Sequence, residues 1–177
     1  MTVFKTERLI VMIVELKDKK FFEELLSNPK IIDLVPLKEP SPEEILKRFE
    51  LSLTSNPNPK KYRENIWGVF EKEEKEMIGL AALLTNDENN WELGYRFREK
   101  YWGKGYGTEI ARGLINYSFN DLKIDKITAD VDVKNKASVK ILEKFLIPVK
   151  QFYNVKDHCW DRRYELNRNN WSYQKNG

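Results

Sequence analysis

The chain has 177 residues, close to the length of one typical domain, so we expect a single domain over residues 1–177. Hydrophobic residues make up 41% of the chain and aromatic residues 12%, which is enough for a sizeable core and too much for a disordered protein. The 31 basic and 28 acidic side chains leave a net charge of +3. This near-balance argues against a protein dedicated to binding nucleic acid.

The sequence also argues against a membrane protein, a secreted protein and a metalloprotein. The longest apolar runs fall far short of the ~18–20 residues of a membrane helix, so we expect no membrane partner. The amino terminus, MTVFKTERL, has no apolar stretch of the kind that directs secretion, which predicts a cytoplasmic protein. Cys159 and His158 are the only cysteine and histidine in the sequence, which excludes an internal disulfide and argues against a metal site.

The first part of the chain predicts one strand followed by two helices. Residues 8–14 form a short β-branched run that is typical of a strand, and apolar residues at helical spacing follow it. The asparagine and proline at positions 28–29 should end this first helix. Residues 41–44 (SPEE) are typical of a helix start, with a capping serine, an early proline and glutamates near the positive end of the helix dipole. We expect residues 56–59 (NPNP) to end that helix.

The second part of the chain is dominated by predicted strands. Short polar segments separate the next strands and predict an antiparallel meander. A helix after Gly107, an alternating strand, a last helix and a strand pair complete the order, with bounds near 65–71, 76–85, 91–98, 126–133, 136–146, 149–155 and 160–167. This order predicts an α/β protein with a mixed α+β sheet of about seven strands and four helices. The helix between the fourth and fifth strands should make those two strands parallel.

The most informative segment is the glycine-rich turn 102–108, WGKGYGT, between a strand and a helix. Alternate glycines allow positive φ and a close approach of the backbone to a ligand. Free N–H groups at the helix start then favour an anion such as a phosphate, and Lys104 adds a positive charge at the rim. A tight turn whose glycines serve only local geometry is the alternative. The sequence lacks G-x-x-x-x-G-K-[ST], and Thr108 and Ile110 occupy the positions where G-x-G-x-x-G needs a glycine.

This turn resembles the acetyl-CoA diphosphate loop of the GNAT superfamily of N-acetyltransferases. Its form, WGKGYGTE, is similar to the loop of the RimJ/RimL branch, the ribosomal-protein N-acetyltransferase-like enzymes. Three further stretches resemble the same branch in the same order: residues 6–9 (TERL), 91–95 (WELGY) and 135–144 (NKAS followed by LEK). The resemblance extends over residues 6–171. It implies the GNAT fold, in which a mixed and mostly antiparallel sheet splays between the fourth and fifth of the predicted strands.

The resemblance also implies the cofactor and the residues that hold it. The cofactor would be acetyl-CoA, with CoA as the product. The residues expected to bind it are Trp102, Gly103, Lys104, Gly105, Tyr106, Gly107, Thr108 and Asn135. An ordinary helix N-cap is a second role for Asn135, and the two roles are compatible. Leu146 departs from the family, which usually has a glycine there, and we expect this to alter the entry to the sixth strand.

Acetyl transfer requires that the amine lose a proton and that the departing thiolate gain one. The resemblance places Glu92 beside the splay as the candidate base; a strand glutamate paired with a lysine is the alternative. Ser138 is the candidate proton donor, and a serine with only local hydrogen bonds is the alternative. Residues that could line the acceptor pocket, or otherwise serve the core or the surface, are Tyr95, Tyr153, His158 and Trp160.

The leading interpretation is an enzyme that transfers acetyl directly to a primary amine. The acceptor would be a protein N-terminal α-amine or a small-molecule amine. A GNAT-fold module that binds acyl-CoA without turnover is the alternative. Nucleic acid is not an expected partner because the sequence has no basic block. Exposed strand edges make a homodimer a further expectation.

Overall fold

The computed structural model describes residues 1–32, 40–55 and 64–174, and the side chains up to residue 171. Within these ranges, eight strands form one sheet: β1 (Thr2–Lys5), β2 (Leu9–Met12), β3 (Glu64–Glu71), β4 (Met77–Thr85), β5 (Trp91–Phe97), β6 (Lys126–Asp132), β7 (Ile147–Asn154) and β8 (Cys159–Asn167). The α-helices of the same ranges are α1 (Lys19–Ser27), α2 (Pro29–Ile32), α3 (Pro42–Leu53), α4 (Tyr106–Asn116), α5 (Lys136–Leu142) and α6 (Arg168–Gln174).

The sheet has the order β1-β2-β3-β4-β5-β6-β8-β7. All neighbouring strands are antiparallel except β5 and β6, which are parallel. The predicted meander and the predicted parallel pair are therefore confirmed. The sheet has one strand more than the predicted seven, because β1 pairs with β2 across a β-bulge. The short helices α2 and α6 are also additional to the four predicted helices.

The sheet opens between β5 and β6. These strands pair only through Trp91↔Ile127 and Glu92↔Thr128, at the start of each strand. Beyond this point β5 stays paired with β4 as far as Phe97, and β6 stays paired with β8 as far as Asp132. The two halves of the sheet thus diverge after Glu92, as the predicted splay requires.

The two faces of the sheet carry separate apolar cores. Trp67 and Val69 of β3 face α4 and join one buried cluster, whereas Ile66 and Phe70 face α1 and α3 and join the other. This alternation follows from the two-residue period of a strand. Each fully buried large apolar side chain contributes roughly 1.5–3 kcal/mol, so both helical layers are fixed to the sheet by burial.

The predicted start of α3 is confirmed in detail. The Ser41 hydroxyl accepts a hydrogen bond from the Glu44 N–H at 3.2 Å, and the Glu44 carboxylate accepts one from the Ser41 N–H at 2.8 Å. This reciprocal pair satisfies two of the free N–H groups at the helix start. The predicted helix stop at residues 56–59 lies outside the described residues.

The helix predicted over residues 136–146 ends earlier in the structure. α5 stops at Leu142, and the N–H of Leu146 donates to the Leu142 carbonyl at 2.8 Å. Leu146 is buried, and its φ is not positive, so this position does not need a glycine. β7 starts directly afterwards at Ile147, two residues earlier than predicted. In the described part of the chain, no helix is both long and apolar enough to cross a bilayer.

Candidate active site

The glycine-rich turn leads directly into α4. Gly103 and Gly105 have φ values of 74° and 80°, in the left-handed region that glycine adopts without strain. The first backbone bond of the helix runs from the Glu109 N–H to the Gly105 carbonyl, at 3.1 Å. The N–H groups of residues 105–108 precede this bond and have no acceptor one turn back in the helix. A helix start with this geometry favours an anion.

Glu109 ties the turn to the amino-terminal strands. Its carboxylate accepts hydrogen bonds from the Thr6 hydroxyl at 2.6 Å and from the Arg8 N–H and Nε, both at 2.7 Å. The Arg8 guanidinium also donates to the Lys104 carbonyl at 2.9 Å and lies 4.6 Å above the Tyr106 ring. Burial favours a raised pKa for Glu109, but these hydrogen bonds outweigh it and leave the pKa lowered. Two distant motifs of the sequence, TERL and WGKGYGTE, are therefore in direct contact.

Several side chains of the turn are held by the protein itself. The Trp102 indole donates to the Phe97 carbonyl at 2.8 Å. The Tyr106 hydroxyl hydrogen-bonds the Glu71 carboxylate, which raises the pKa of Tyr106 to about 12. Both rings are thus fixed in position, and they help to hold the shape of the turn.

A cavity of about 360 Å³ extends from this turn along α5 and β5; we call it the loop cavity. Gly107 lets the two helices approach, since a Cβ there would lie 2.7 Å from Ile141 Cδ1. The structure brings seven of the eight predicted cofactor residues into the lining of this cavity: Trp102, Gly103, Gly105, Tyr106, Gly107, Thr108 and Asn135. Lys104 belongs to the turn but not to the lining; its amine lies 5.0 Å from the centre of the Tyr101 ring.

A second cavity, of about 450 Å³, lies on the face of the sheet that carries α1 and α3; we call it the sheet cavity. The floor consists of alternate residues on two neighbouring strands: Leu80, Ala82 and Leu84 of β4, and Glu92, Gly94 and Arg96 of β5. Helix residues, β6 and the β7–β8 hairpin supply the walls. The sheet cavity is thus assembled from segments far apart in the sequence.

The two cavities meet where β5 and β6 stop pairing. Tyr95, Arg96, Asn135 and Ser138 line both of them. The Asn135 side chain caps α5 by accepting from the Ser138 N–H at 3.1 Å. The Ser138 side chain also interacts with the buried Tyr95 hydroxyl, which has no hydrogen bond of regular geometry among the described residues. Burial raises the pKa of Tyr95 well above its usual value, so this hydroxyl keeps its proton.

Glu92 lines the sheet cavity next to this junction. Burial, together with the negative charge of Asp130, raises the pKa of Glu92 to about 7, although Arg163 and the Asn86 side chain act in the opposite direction. None of the ion pairs between described residues includes a lysine paired with Glu92. The structure therefore does not show the lysine-paired alternative for this residue. A carboxyl group that titrates near neutral pH can exchange protons efficiently there.

Three predicted pocket residues lie apart from the two cavities. Tyr153 and Trp160 pack edge to face at 5.6 Å on the outer side of the hairpin, with 47% and 52% of their surface exposed. His158 is exposed in the hairpin turn, with φ 53°. Because side chains alternate along β7 and β8, an outward aromatic residue places its neighbour inward. Of the four predicted pocket residues, only Tyr95 lines the described cavities.

The sequence pattern missed the polar residues that do line the hairpin side of the sheet cavity: Asn154, Asp157 and Asp161. Asn154 Nδ2 donates to the carboxylates of Asp157 and Asp161 at 2.9 and 2.7 Å. Period-two alternation around Trp160 was the signal that could have found Asp161. Arg48 of α3 and Arg96 of β5 were also missed, since each lies among other basic residues and no local pattern marks it out.

Comparisons with known proteins point to one family. Residues 8–145 match the family model described as acetyltransferase (GNAT) domain. The uncharacterized protein YkkB of Bacillus subtilis is 34% identical over 90 residues, which is 49% of this chain and about half (52%) of that protein. The uncharacterized N-acetyltransferase p20 of Bacillus licheniformis is 29% identical over 144 residues, 77% of each chain.

A solved structure has the same fold. Spermidine N-acetyltransferase from Vibrio cholerae, in complex with CoA and spermine, superposes with a TM-score of 0.76 at 19% identity. The superposition covers 93% of this chain and 98% of that one.

Proposed function

Because this chain belongs to the acetyltransferase (GNAT) family, we propose that it transfers acetyl directly from acetyl-CoA to a primary amine. The observation that carries the proposal is the junction of the loop cavity and the sheet cavity at Tyr95, Arg96, Asn135 and Ser138. A donor in one cavity and an acceptor in the other would meet at this junction. We also assign the chain to the RimJ/RimL branch, on the four motifs of its sequence.

The turn fits the diphosphate of acetyl-CoA. Gly103 and Gly105 have left-handed backbone conformations and no side chains, so a ligand can approach the backbone closely. The N–H groups of residues 105–108 lie at the positive end of the α4 dipole and can donate to an anion. The loop cavity then leads from the turn to Tyr95 and Ser138. When bound, acetyl-CoA would supply an acetyl group activated as a thioester, and its thiol would leave as a thiolate that needs a proton.

Glu92 is our candidate for the base that removes the proton of the amine. An α-amine has an unperturbed pKa of ~8 and a lysine-like amine ~10.4, so most of either is protonated at neutral pH. A Glu92 carboxylate oxygen can take this proton, directly or through a water molecule, because the carboxylate lines the sheet cavity and its pKa is about 7.

Ser138 and Tyr95 are our candidates for the proton donor. Both hydroxyls lie where the two cavities meet, and their side chains interact with each other. The raised pKa of Tyr95 keeps a proton on this pair throughout the neutral range. A base on one side of the junction and a proton source on the other is the arrangement that acyl transfer to an amine requires.

Thermal unfolding tests the cofactor half of this proposal. We expect acetyl-CoA at about 100 times its Kd to add ~2.7 kcal/mol of stability, while NAD and ATP at the same concentration add little. CoA release with a panel of amines tests the other half. Stabilisation followed by amine-dependent release supports the proposal. Stabilisation without release would indicate a module that only binds acyl-CoA, and no stabilisation would overturn the cofactor site.

A further inference from the structure

The β5 floor of the sheet cavity carries opposite charges at its two ends. On β5, Glu92 and Arg96 share one face and are four residues apart, which separates their Cα atoms by ~13 Å. Between them, Gly94 and its cross-strand partner Ala82 form a shallow apolar floor. A molecule lying along β5 would therefore meet different chemistry at each end.

Two arginines define the first end. One nitrogen of the Arg96 guanidinium donates to the Leu25 carbonyl at 3.2 Å, and Arg48 of α3 lines the same cavity. None of the ion pairs between described residues includes either arginine. Burial, reinforced by the charge of Arg48, lowers the pKa of Arg96 to about 10. Two like charges that share a cavity repel each other, and an anion between them would relieve this repulsion.

Carboxylates line the other end: Glu92, Glu64 two strands away at the same level, and Asp130, whose charge acts on Glu92. Asp157 and Asp161 line the hairpin wall instead, because Asp161 pairs with Asp132, four residues beyond the partner of Glu92 on β6. Arg163 holds Asp130 at 2.6 Å, and Asn154 bonds the two hairpin carboxylates. The remaining oxygen of Asp157, Oδ1, is buried and has no hydrogen-bond partner. Lys156 also lines the cavity from the hairpin, but no described ion pair joins it to a carboxylate. An ammonium ion near Glu92 would donate hydrogen bonds to the carboxylates at that end of the cavity.

We infer that the acceptor is a primary amine that also carries an anionic group several bonds away. Its amine lies at the carboxylate end near Glu92, and its anion lies between Arg48 and Arg96. This inference rests on the proposed function and narrows its substrate class. A polyamine is disfavoured, because a chain that is cationic along its whole length would place positive charge against the two arginines.

A series of six-carbon amines tests the inference with chain length held constant. The probes are 6-aminohexanoate, neutral hexylamine, 1,6-diaminohexane and 6-aminohexyl phosphate, with spermidine for comparison. We expect kcat/KM for at least one of the two anionic amines to exceed that for hexylamine about tenfold, with the diamine and spermidine slower still. The faster anionic amine identifies the anion as carboxylate or phosphate.

Arginine variants show whether the cavity causes the preference. We expect Arg48→Gln to reduce the ratio of kcat/KM for the anionic amine to that for hexylamine about tenfold, and Arg96→Gln to do the same if it folds. Arg112→Gln is the matched control, since Arg112 is exposed on α4 and lies 5.5 Å from the Phe145 ring, outside both cavities. An unchanged ratio in Arg48→Gln, or a preference for the diamine, would overturn the inference while leaving the acetyl transfer intact. No CoA release with any amine would overturn the proposed function as well.

Discussion

The loop cavity and the sheet cavity are built in different ways. The mouth of the loop cavity is one short run of sequence, the turn 102–108, whose backbone would meet the ligand and whose shape Glu109 fixes through Thr6 and Arg8. The sheet cavity depends on side chains from three helices, four strands and a hairpin, and its character comes from their charges. A ligand recognised by backbone groups can be encoded locally, whereas an acceptor recognised by side chains needs the whole fold. The two cavities should therefore respond separately to mutation.

The largest difference between the effect on kcat and the effect on cofactor binding is expected for Glu92→Gln. Loss of the base should lower kcat by about 10²–10⁴-fold, while the Kd for acetyl-CoA stays the same. Steady-state kinetics and calorimetric titration measure the two quantities. Glu50→Gln is the control, because this exposed carboxylate on α3 lines neither cavity, and its kcat should change by no more than a few fold. Equal losses in the two variants would mean that Glu92 has no special role.

A second variant addresses the loop cavity. Glu109→Gln removes a charged acceptor of three hydrogen bonds, so we expect it to cost about 2 kcal/mol and to weaken acetyl-CoA binding. That cost corresponds to a fall in Tm of about 4–8 °C for a chain of this length. Exposed Glu73→Gln is the control and should leave Tm unchanged.

The pH dependence of this effect follows from the lowered pKa of Glu109. A carboxyl whose pKa is lower in the folded state stabilises the protein above its unfolded pKa, and this contribution disappears as the pH falls through the folded value. The difference in Tm between the wild type and Glu109→Gln should therefore be greatest near neutral pH and shrink in acid. A constant difference would mean that packing, rather than charge, causes the loss.

Two glycine variants should have smaller effects, each confined to the ligand of one cavity. At Gly94, a Cβ would have only Ala82 Cβ within 4 Å, at 3.9 Å, so Gly94→Ala should fold normally and place a methyl group on the floor of the sheet cavity. We expect its KM for the amine to rise a few fold, with the Kd for acetyl-CoA unchanged. In Gly107→Ala the added methyl group would displace Ile141 in the loop cavity. We expect its Kd for acetyl-CoA to rise and its KM for the amine to stay the same. The contrast fails if both variants change the same constant.

The smallest effect is expected at the hairpin tip. His158→Asn keeps a residue that tolerates positive φ and removes the imidazole. Because His158 is exposed and lines neither cavity, kcat and KM should change less than about twofold, within the range of ordinary surface substitutions. A tenfold fall in kcat/KM for the amine would instead indicate that His158 belongs to the acceptor site.

The same contrast explains what the sequence could predict. The meander, the parallel pair and the turn 102–108 follow from local periodicity, caps and glycines, and the structure has each of them. β1 was missed because four residues that end in a lysine carry little periodicity, and only pairing with β2 makes them a strand. Arg48 and Asp157 became visible only in the fold, because nothing near them in the sequence shows that they face one cavity.

The pH dependence of kcat, measured for the wild type and for Glu92→Gln, tests the central claim most directly. The pKa of Glu92 is raised to about 7, so the carboxylate able to accept a proton exists only above that pH. We expect the wild-type kcat to fall as the pH drops through about 7, and we expect this inflection to be absent in Glu92→Gln. The same inflection in both proteins, or a wild-type kcat that stays constant down to pH 5, would contradict the account.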